Sequence, residues 1–214
     1  DIVVKGFYKP STTEELDTLS ALQEIELIAE VIDPITETII TGFNGEYIAE
    51  LQASPTPSQT LGDENSPFEY QEEKTLLFRG QGKVENGVLT AKFLIPNHLS
   101  QEIEAGNLRI LAWEESSGYR ALGQITPILG QNATPPVDQT GPEISPTLEG
   151  KSEGPFIFNT TQLQVGADIF DLNGILVSGK IPGQDLFLQV NDQSPIILNE
   201  EFLAKNGSYQ EGAF

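Results

Sequence analysis

Residues 25–34, I-E-L-I-A-E-V-I-D-P, carry the pattern that decides the fold of this chain. Every second position from 25 to 31 is apolar, and these side chains share one face of an extended strand because successive residues of a strand point to opposite sides. The Asp33-Pro34 pair then favours a turn. The segment therefore predicts a β-strand with one buried face, followed by a change of direction.

Similar signals follow in the next hundred residues. Asn86-Gly87 is typical of a two-residue hairpin and precedes a second alternating segment at 88–95. Residues 108–113 are almost continuously apolar, which predicts a central strand covered on both sides. Together with 20 Gly and 14 Pro in 214 residues, these patterns predict a mostly β fold.

Two segments of the first half predict something other than strands. Thr12 and Glu15 have the spacing of a helical capping box, and leucines recur on one helical face up to Leu22, so a short helix is expected there. Residues 53–70 are polar and contain proline, which predicts a long loop.

A proline-rich stretch separates two halves of the chain. Residues 131–142 have the sequence Q-N-A-T-P-P-V-D-Q-T-G-P, which is typical of a linker. The chain is thus predicted to form two immunoglobulin-like antiparallel β-sandwich modules in series, at 1–130 and 143–214. The second module is shorter than the about 100 residues of a typical immunoglobulin-like sandwich, so a truncated module is expected. Its strands are expected at 156–158, 163–169, 186–190 and 196–198.

The composition excludes several classes of function. Thirty-two acidic and 11 basic residues give a net charge of −21, which repels phosphate backbones and anionic lipid surfaces and excludes nucleic acid as a partner. The absence of Cys removes thiol nucleophiles, disulfides and cysteine-based metal sites. No apolar run approaches the roughly 20 residues of a transmembrane helix. Because the first residue is Asp1, the chain is expected to be a piece of a longer polypeptide.

One short segment could hold a metal ion. Asp168, Asp171 and Asn173 precede Gly174, and oxygen ligands at this spacing can hold calcium. The segment lacks the distal glutamate of an EF-hand loop, and Asp-Asn-Gly is also ordinary turn chemistry. These three residues are the candidate calcium ligands, and no other cofactor is expected.

Other candidate sites carry weaker signals. His98 is the single histidine, so a Ser-His-Asp arrangement would have to include it. The acidic pair Glu114-Glu115 could supply carboxylates for glycoside hydrolysis, although that chemistry needs two of them across a cleft. Trp113 and Tyr119 could line a sugar groove. Asn206-Gly207-Ser208 matches the N-glycosylation pattern and marks a loop. No catalytic residue is assigned.

Several short motifs occur in a fixed order along the chain. They are L-S-A-L-Q-E-I at 19–25, I-D at 32–33, G-F-N-G at 42–45, L-F-R-G at 77–80, K-V-E-N-G at 83–87, F-L-I-P at 93–96, D-Q-T-G-P-E-I at 138–144, D-L-N-G-I at 171–175 and I-L-N at 197–199. In this order they resemble the region that follows the peptidase domain in sortases of type IX secretion of the PorU kind, which are gingipain-like cysteine peptidases. The resemblance covers most of the chain, from about residue 17 to the end.

This resemblance implies a role for the longer protein. Such a sortase acts on the extracellular face of the outer membrane, removes C-terminal sorting domains from exported cargo and helps attach the cargo to an anionic lipopolysaccharide. Its catalytic Cys and His belong to the upstream domain, so none of its catalytic residues transfers to this chain. The implied partners are that upstream peptidase domain of the same chain and other outer-membrane secretion components, and the implied role is that of a spacer or docking surface.

The residues themselves leave two alternatives open. The first is an independent adhesin or carbohydrate-binding β-sandwich, with Trp113 or Tyr119 in its groove. The second is a hydrolase built on carboxylates or on His98. Glycan binding would favour the first alternative, and loss of activity on replacing His98 would favour the second.

Overall fold

A computed structural model of the chain describes residues 1–54, 56–62, 66–72, 76–96, 104–130, 140–155, 157, 162–175 and 185–214. The predicted mostly β fold is confirmed: β-strands are the regular secondary structure of these residues, and their arrangement is sandwich-like. The strands of the first segment (residues 1–130) are β1 (Ile2–Tyr8), β2 (Leu19–Ser20), β3 (Glu24–Val31), β4 (Gly45–Gln52), β5 (Thr56–Gln59), β6 (Glu69–Glu72), β7 (Leu76–Glu85), β8 (Val88–Leu94), β9 (Glu104–Ala105), β10 (Asn107–Trp113), β11 (Arg120–Ile125) and β12 (Ile128–Gly130). Those of the second segment (residues 140–214) are β13 (Glu143–Leu148), β14 (Val165–Phe170), β15 (Phe187–Leu188), β16 (Ile196–Ile197), β17 (Leu203–Ala204) and β18 (Glu211–Ala213).

The first segment is a sandwich of two layers joined by a hairpin. One layer has the strand order β1-β3-β8, and the other has the order β7-β4-β10-β11. The β7–β8 hairpin connects them, and its turn residues Asn86 and Gly87 have φ angles of 52° and 78°. Left-handed angles at both central positions are what a type I′ turn requires, so the predicted hairpin is confirmed.

Side chains from both layers form one hydrophobic core. The predicted alternation of β3 is confirmed, since Ile25, Leu27, Ala29 and Val31 are at most 1% exposed. The strand β8, which is the hydrogen-bonded neighbour of β3 in the same layer, also buries every second side chain. Phe78 and Phe93 stack across the core with ring centroids 4.8 Å apart.

The predicted helix near the start is wrong. Thr12 does not cap a helix. Its hydroxyl accepts a hydrogen bond from the backbone N–H of Glu14 in a local turn. Leu19 lies in the short strand β2, which pairs in parallel with β12. Leu22 has a φ angle of 58°, a left-handed conformation that an α-helix cannot contain.

Two other predictions about the first segment need correction. β10 is central, since it pairs with both β4 and β11, but only one of its faces is buried, and Leu111 on the other face is 42% exposed. The loop predicted at 53–70 contains β5 and, from Glu69, the strand β6, and these two strands form an antiparallel hairpin of their own. Backbone pairing thus gives residues 56–59 and 69–72 a regular structure although the composition of this part of the chain is polar.

The second segment extends the sheet that contains β7. β13, β14, β18 and β17 are neighbours in that order, and β17 pairs in parallel with β7 between Ala204 and Gly80. The strands predicted at 163–169, 186–190 and 196–198 correspond to β14, β15 and β16, whereas residues 156 and 158 of the expected strand 156–158 lie outside the described residues. Most of the predicted linker, residues 131–139, also lies outside them, and the division into modules at 1–130 and 143–214 stays a prediction.

Candidate functional site

The three candidate calcium ligands lie near one another in sequence but are engaged separately. The carboxylate of Asp168, on β14, forms an ion pair with the ammonium group of Lys205. Asp171 is 8% exposed and accepts the backbone N–H of Asn173 at 2.8 Å, which is an ordinary Asx turn. Within the described part of the chain, no three His, Cys, Asp or Glu side chains are grouped to hold a metal. Calcium binding stays a prediction, and a calcium titration followed by the melting temperature tests it.

The other predicted site residues occupy different places. His98 lies outside the described residues. Tyr119 is 69% exposed directly before β11, whereas Trp113, at the end of β10, lines a groove with a cavity volume of about 560 Å³. The structure therefore brings Trp113 and not Tyr119 to this groove.

Acidic side chains surround Trp113 in the groove. The charged residues of the lining are Glu46, Glu85, Glu114 and Glu115 and one basic residue, Lys83, so a neutral or cationic ligand is favoured over an anionic one. The groove runs from the end of β10 across the start of β4 to the end of β7, so its walls come from one end of these three neighbouring strands.

Glu114 holds the loop at one side of this groove. Its carboxylate accepts a hydrogen bond from the hydroxyl of Ser117 and another from the backbone N–H of Asn44 at 2.9 Å. These two hydrogen bonds, that of Ser117 first, lower the pKa of Glu114 below its ordinary value. The side chain therefore positions the loop that follows Trp113 and stays ionised at neutral pH.

A second site, which the sequence did not predict, lies where the two segments meet. β7 and β8 pair only next to their hairpin, whereas β8 pairs with β3 along its whole length. Beyond the hairpin, Gly207 lies between them: its N–H donates to the carbonyl of Gln81 on β7 at 2.8 Å, and its carbonyl accepts the N–H of Lys92 on β8 at 2.6 Å. We call this gap the β7–β8 cleft.

Tyr47 lies beside the β7–β8 cleft. It is fully buried, and its Oη donates to the carbonyl of Thr90 on β8 at 2.6 Å. A Cβ atom at Gly82 would lie 2.7 Å from the tyrosine ring, so the missing side chain there makes room for the ring. Burial raises the pKa of Tyr47 above its ordinary value, which keeps the hydroxyl protonated as a donor.

Two side-chain contacts flank the cleft. Tyr209 Oη donates to the carboxylate of Glu24 at 2.8 Å. Partial burial, followed by the hydrogen bond and the charge of Glu24, raises the pKa of Tyr209. On β7, Arg79 Nη1 donates to the carbonyl of Glu200 at 2.6 Å, and its Nε lies 3.0 Å from a carboxylate oxygen of Glu50. In the Tyr209–Glu24 contact and in the Arg79–Glu200 contact, one residue comes from the first segment and the other from the second.

The only local signal for this second site was the Asn206-Gly207 dipeptide, which the sequence marked as a loop. Asn206 and Gly207 have φ angles of 54° and 63°, as expected for a tight turn. Its partners Gln81 and Lys92 are more than a hundred positions earlier in the chain, so no sequence window contains them together. Within the described residues, no helix has the length and hydrophobicity needed to cross a bilayer.

Comparisons with known proteins show a similarity of fold but no match of sequence to a known family. No protein-family model and no curated protein sequence matches the chain. The structure is similar to the crystal structure of dimeric latent PorU from Porphyromonas gingivalis, with a TM-score of 0.57 and 20% sequence identity. The match covers 100% of this chain and 21% of the PorU chain, so this chain has, over its whole length, the fold of one part of PorU.

Proposed function

We propose that this chain is the non-catalytic β-sandwich region of a cell-surface, gingipain-like cysteine peptidase of type IX secretion, in which it acts as a spacer and docking surface. The observation that carries the proposal is the structural match: all of the chain corresponds to about a fifth of a PorU chain. The order of short motifs from residue 17 onwards resembles the same family independently of the structure.

The chemistry of the chain fits a supporting role. It contains no Cys, so the thiol that a gingipain-like peptidase needs must come from elsewhere in the longer protein. That protein would remove C-terminal sorting domains from exported cargo at the extracellular face of the outer membrane. The partners of this region would be the upstream peptidase domain and other outer-membrane secretion components.

The contacts between the two segments suit a spacer. Backbone pairing between β7 and β17, the Gly207 contacts and the Arg79 hydrogen bond all join distant parts of the chain. A spacer that holds a peptidase at a set distance needs such contacts, because a flexible linker fixes only an average distance.

The first experiment is to sequence the coding region upstream of Asp1 and to look for a peptidase domain with Cys and His. The second replaces residues 1–214 in that parent by a glycine-serine linker and measures cleavage of cargo sorting domains on whole cells. We expect cleavage to fail while the peptidase domain is still exported. Normal cleavage and assembly with the linker would contradict the proposed role, and repeated β modules upstream of Asp1 would favour an adhesin.

A carbohydrate-binding module is the second candidate, and the groove beside Trp113 is the observation that favours it. A sugar can stack on the aromatic ring, and the carboxylates around the ring can accept hydrogen bonds from the hydroxyl groups of the sugar. Glycan-array binding by the purified chain would support this function if Trp113→Ala abolishes it. Tyr119→Ala is the matched control, because Tyr119 is exposed but does not line the groove.

A further inference from the structure

At the β7–β8 cleft, backbone groups of β7 and β8 that face each other are too far apart to form hydrogen bonds between the two strands. In an antiparallel pair, alternate residues direct both backbone polar groups toward the neighbouring strand. Lys92 directs its N–H toward β7, and Gln81 directs its carbonyl toward β8, but these strands have separated by this point. Backbone polar groups that face the space between two strands need partners, and both of these find theirs in the same buried residue, Gly207.

Gly207 fits this place because it has no side chain. Its φ angle of 63° is left-handed, and a Cβ atom on it would lie 2.9 Å from the carbonyl oxygen of Thr90 and 3.0 Å from Tyr47 Oη. Any other residue would push against the hydrogen bond between those two atoms. The cleft therefore selects glycine by shape and binds it through the backbone.

Contacts on both sides hold the turn in place. Ala204 pairs with Gly80 just before it, and Tyr209, at its end, reaches Glu24 on β3. The turn thus touches β7, β8 and β3 within six residues of the second segment.

We propose that the β7–β8 cleft is a backbone-recognition site whose ligand is the turn at residues 205–209 of the same chain, and that Gly207 latches the second segment to the first. The latch deepens the proposed spacer role, which rests on the comparison with PorU, by naming what makes the spacer rigid. It is tested on the purified chain alone, so its failure is distinguishable from a failure of that role in cells.

The test compares Gly207→Ala with Gly118→Ala in the full chain. Both glycines have left-handed φ angles, 63° and 72°, so both variants carry a similar backbone strain. A Cβ atom at Gly118 has nothing within 4 Å, so only the Gly207 variant meets the walls of the cleft. Amide hydrogen exchange of Lys92 and Gly207 is the readout, with the β8 amides that face β3 as an internal reference.

We expect Gly207→Ala to speed exchange at Lys92 and at position 207 by about tenfold or more, with the β3-facing amides unchanged and Gly118→Ala without effect. Limited proteolysis should then cut the second segment first. Equal exchange at Lys92 in the two variants would overturn the latch.

Tyr209→Phe is a second, milder variant in case Gly207→Ala fails to fold. It removes only the hydroxyl that reaches Glu24, so exchange at Lys92 should rise by about two- to fivefold. In the unmodified chain, Lys92 and Gly207 should exchange through one shared opening, with equal protection. Protection that differs between the two amides, with no change in Tyr209→Phe, would overturn the proposal as well.

Discussion

The hydroxyl of Tyr47 donates a 2.6 Å hydrogen bond to the carbonyl of Thr90 and so joins β4 to β8 beneath the turn at Gly207. The two strands are not neighbours in the sheet, because β4 pairs with β7 and β10. One buried side chain therefore connects the two layers of the sandwich at the point where their shared hairpin has opened.

Tyr47→Phe should destabilise the protein by about 1–3 kcal/mol, because the Thr90 carbonyl loses its donor in a partly buried place. Urea unfolding at neutral pH, followed by circular dichroism, measures this change. Tyr119→Phe serves as the control, since Tyr119 is 69% exposed, and it should change the stability by less than about 0.5 kcal/mol. Equal effects of the two substitutions would contradict the role of Tyr47.

Stability should fall at alkaline pH, and Tyr47 should account for part of the loss. Burial raises its pKa in the folded chain above the ordinary value of 10.0. Above pH 10 the unfolded chain therefore binds fewer protons than the folded chain. The contribution of Tyr47 to the free energy of unfolding is thus fully present below that pH and decreases as the pH rises further. The slope attributable to Tyr47 should approach about 1.4 kcal/mol per pH unit.

The check is urea unfolding of the unmodified chain and of Tyr47→Phe between pH 8 and pH 11. The variant should show a shallower decline above pH 10, with the remaining slope including the contribution of Tyr209, whose pKa is also raised. Parallel curves would show that Tyr47 ionises equally in both states.

The strands of the first segment are predictable from sequence because their signals are local. The alternation of β3 and the Asn86-Gly87 turn each lie within a few residues, and the structure confirms both. The mostly β class follows from the same signals, since turns and alternating segments recur along the chain.

The failures have non-local causes. The leucines before residue 22 have helical spacing, but Leu19 pairs with Leu129 in a parallel bridge, and a distant strand thus overrides the local preference. Leu111 belongs to an apolar segment, yet its face of β10 is left partly exposed. The cleft depends on Gly207 meeting Gln81 and Lys92, so only the tertiary structure could reveal it.

Closure of the sandwich between β1 and β11 depends on Gly123. A Cβ atom there would lie 2.7 Å from the carbonyl oxygen of Ile2 and 2.8 Å from its Cβ. Gly123→Ala should therefore cost about 1–3 kcal/mol, because the backbone of β1 must shift. Thermal and urea unfolding measure the cost.

Gly42→Ala is the matched control for this substitution, since a Cβ atom at Gly42 has nothing within 4 Å. Its effect should stay within about 0.5 kcal/mol. If both alanine variants are equally stable, β1 does not approach β11 as closely as the structure shows.

Arg79 makes one contact to the second segment and one within the first segment, and the two contributions can be separated. Arg79→Ala removes both the hydrogen bond to the Glu200 carbonyl and the ion pair with Glu50, whereas Glu50→Gln removes only the ion pair. A hydrogen bond from a charged donor contributes more than a partly exposed ion pair. We therefore expect Arg79→Ala to cost about 1–2 kcal/mol and Glu50→Gln less than about 1 kcal/mol.

Urea unfolding of the two variants measures both costs. Because only the Glu200 contact reaches the second segment, only Arg79→Ala should also speed proteolysis of that segment. If Glu50→Gln costs as much as Arg79→Ala and leaves the second segment equally sensitive to protease, Arg79 stabilises β7 alone and does not hold the two segments together.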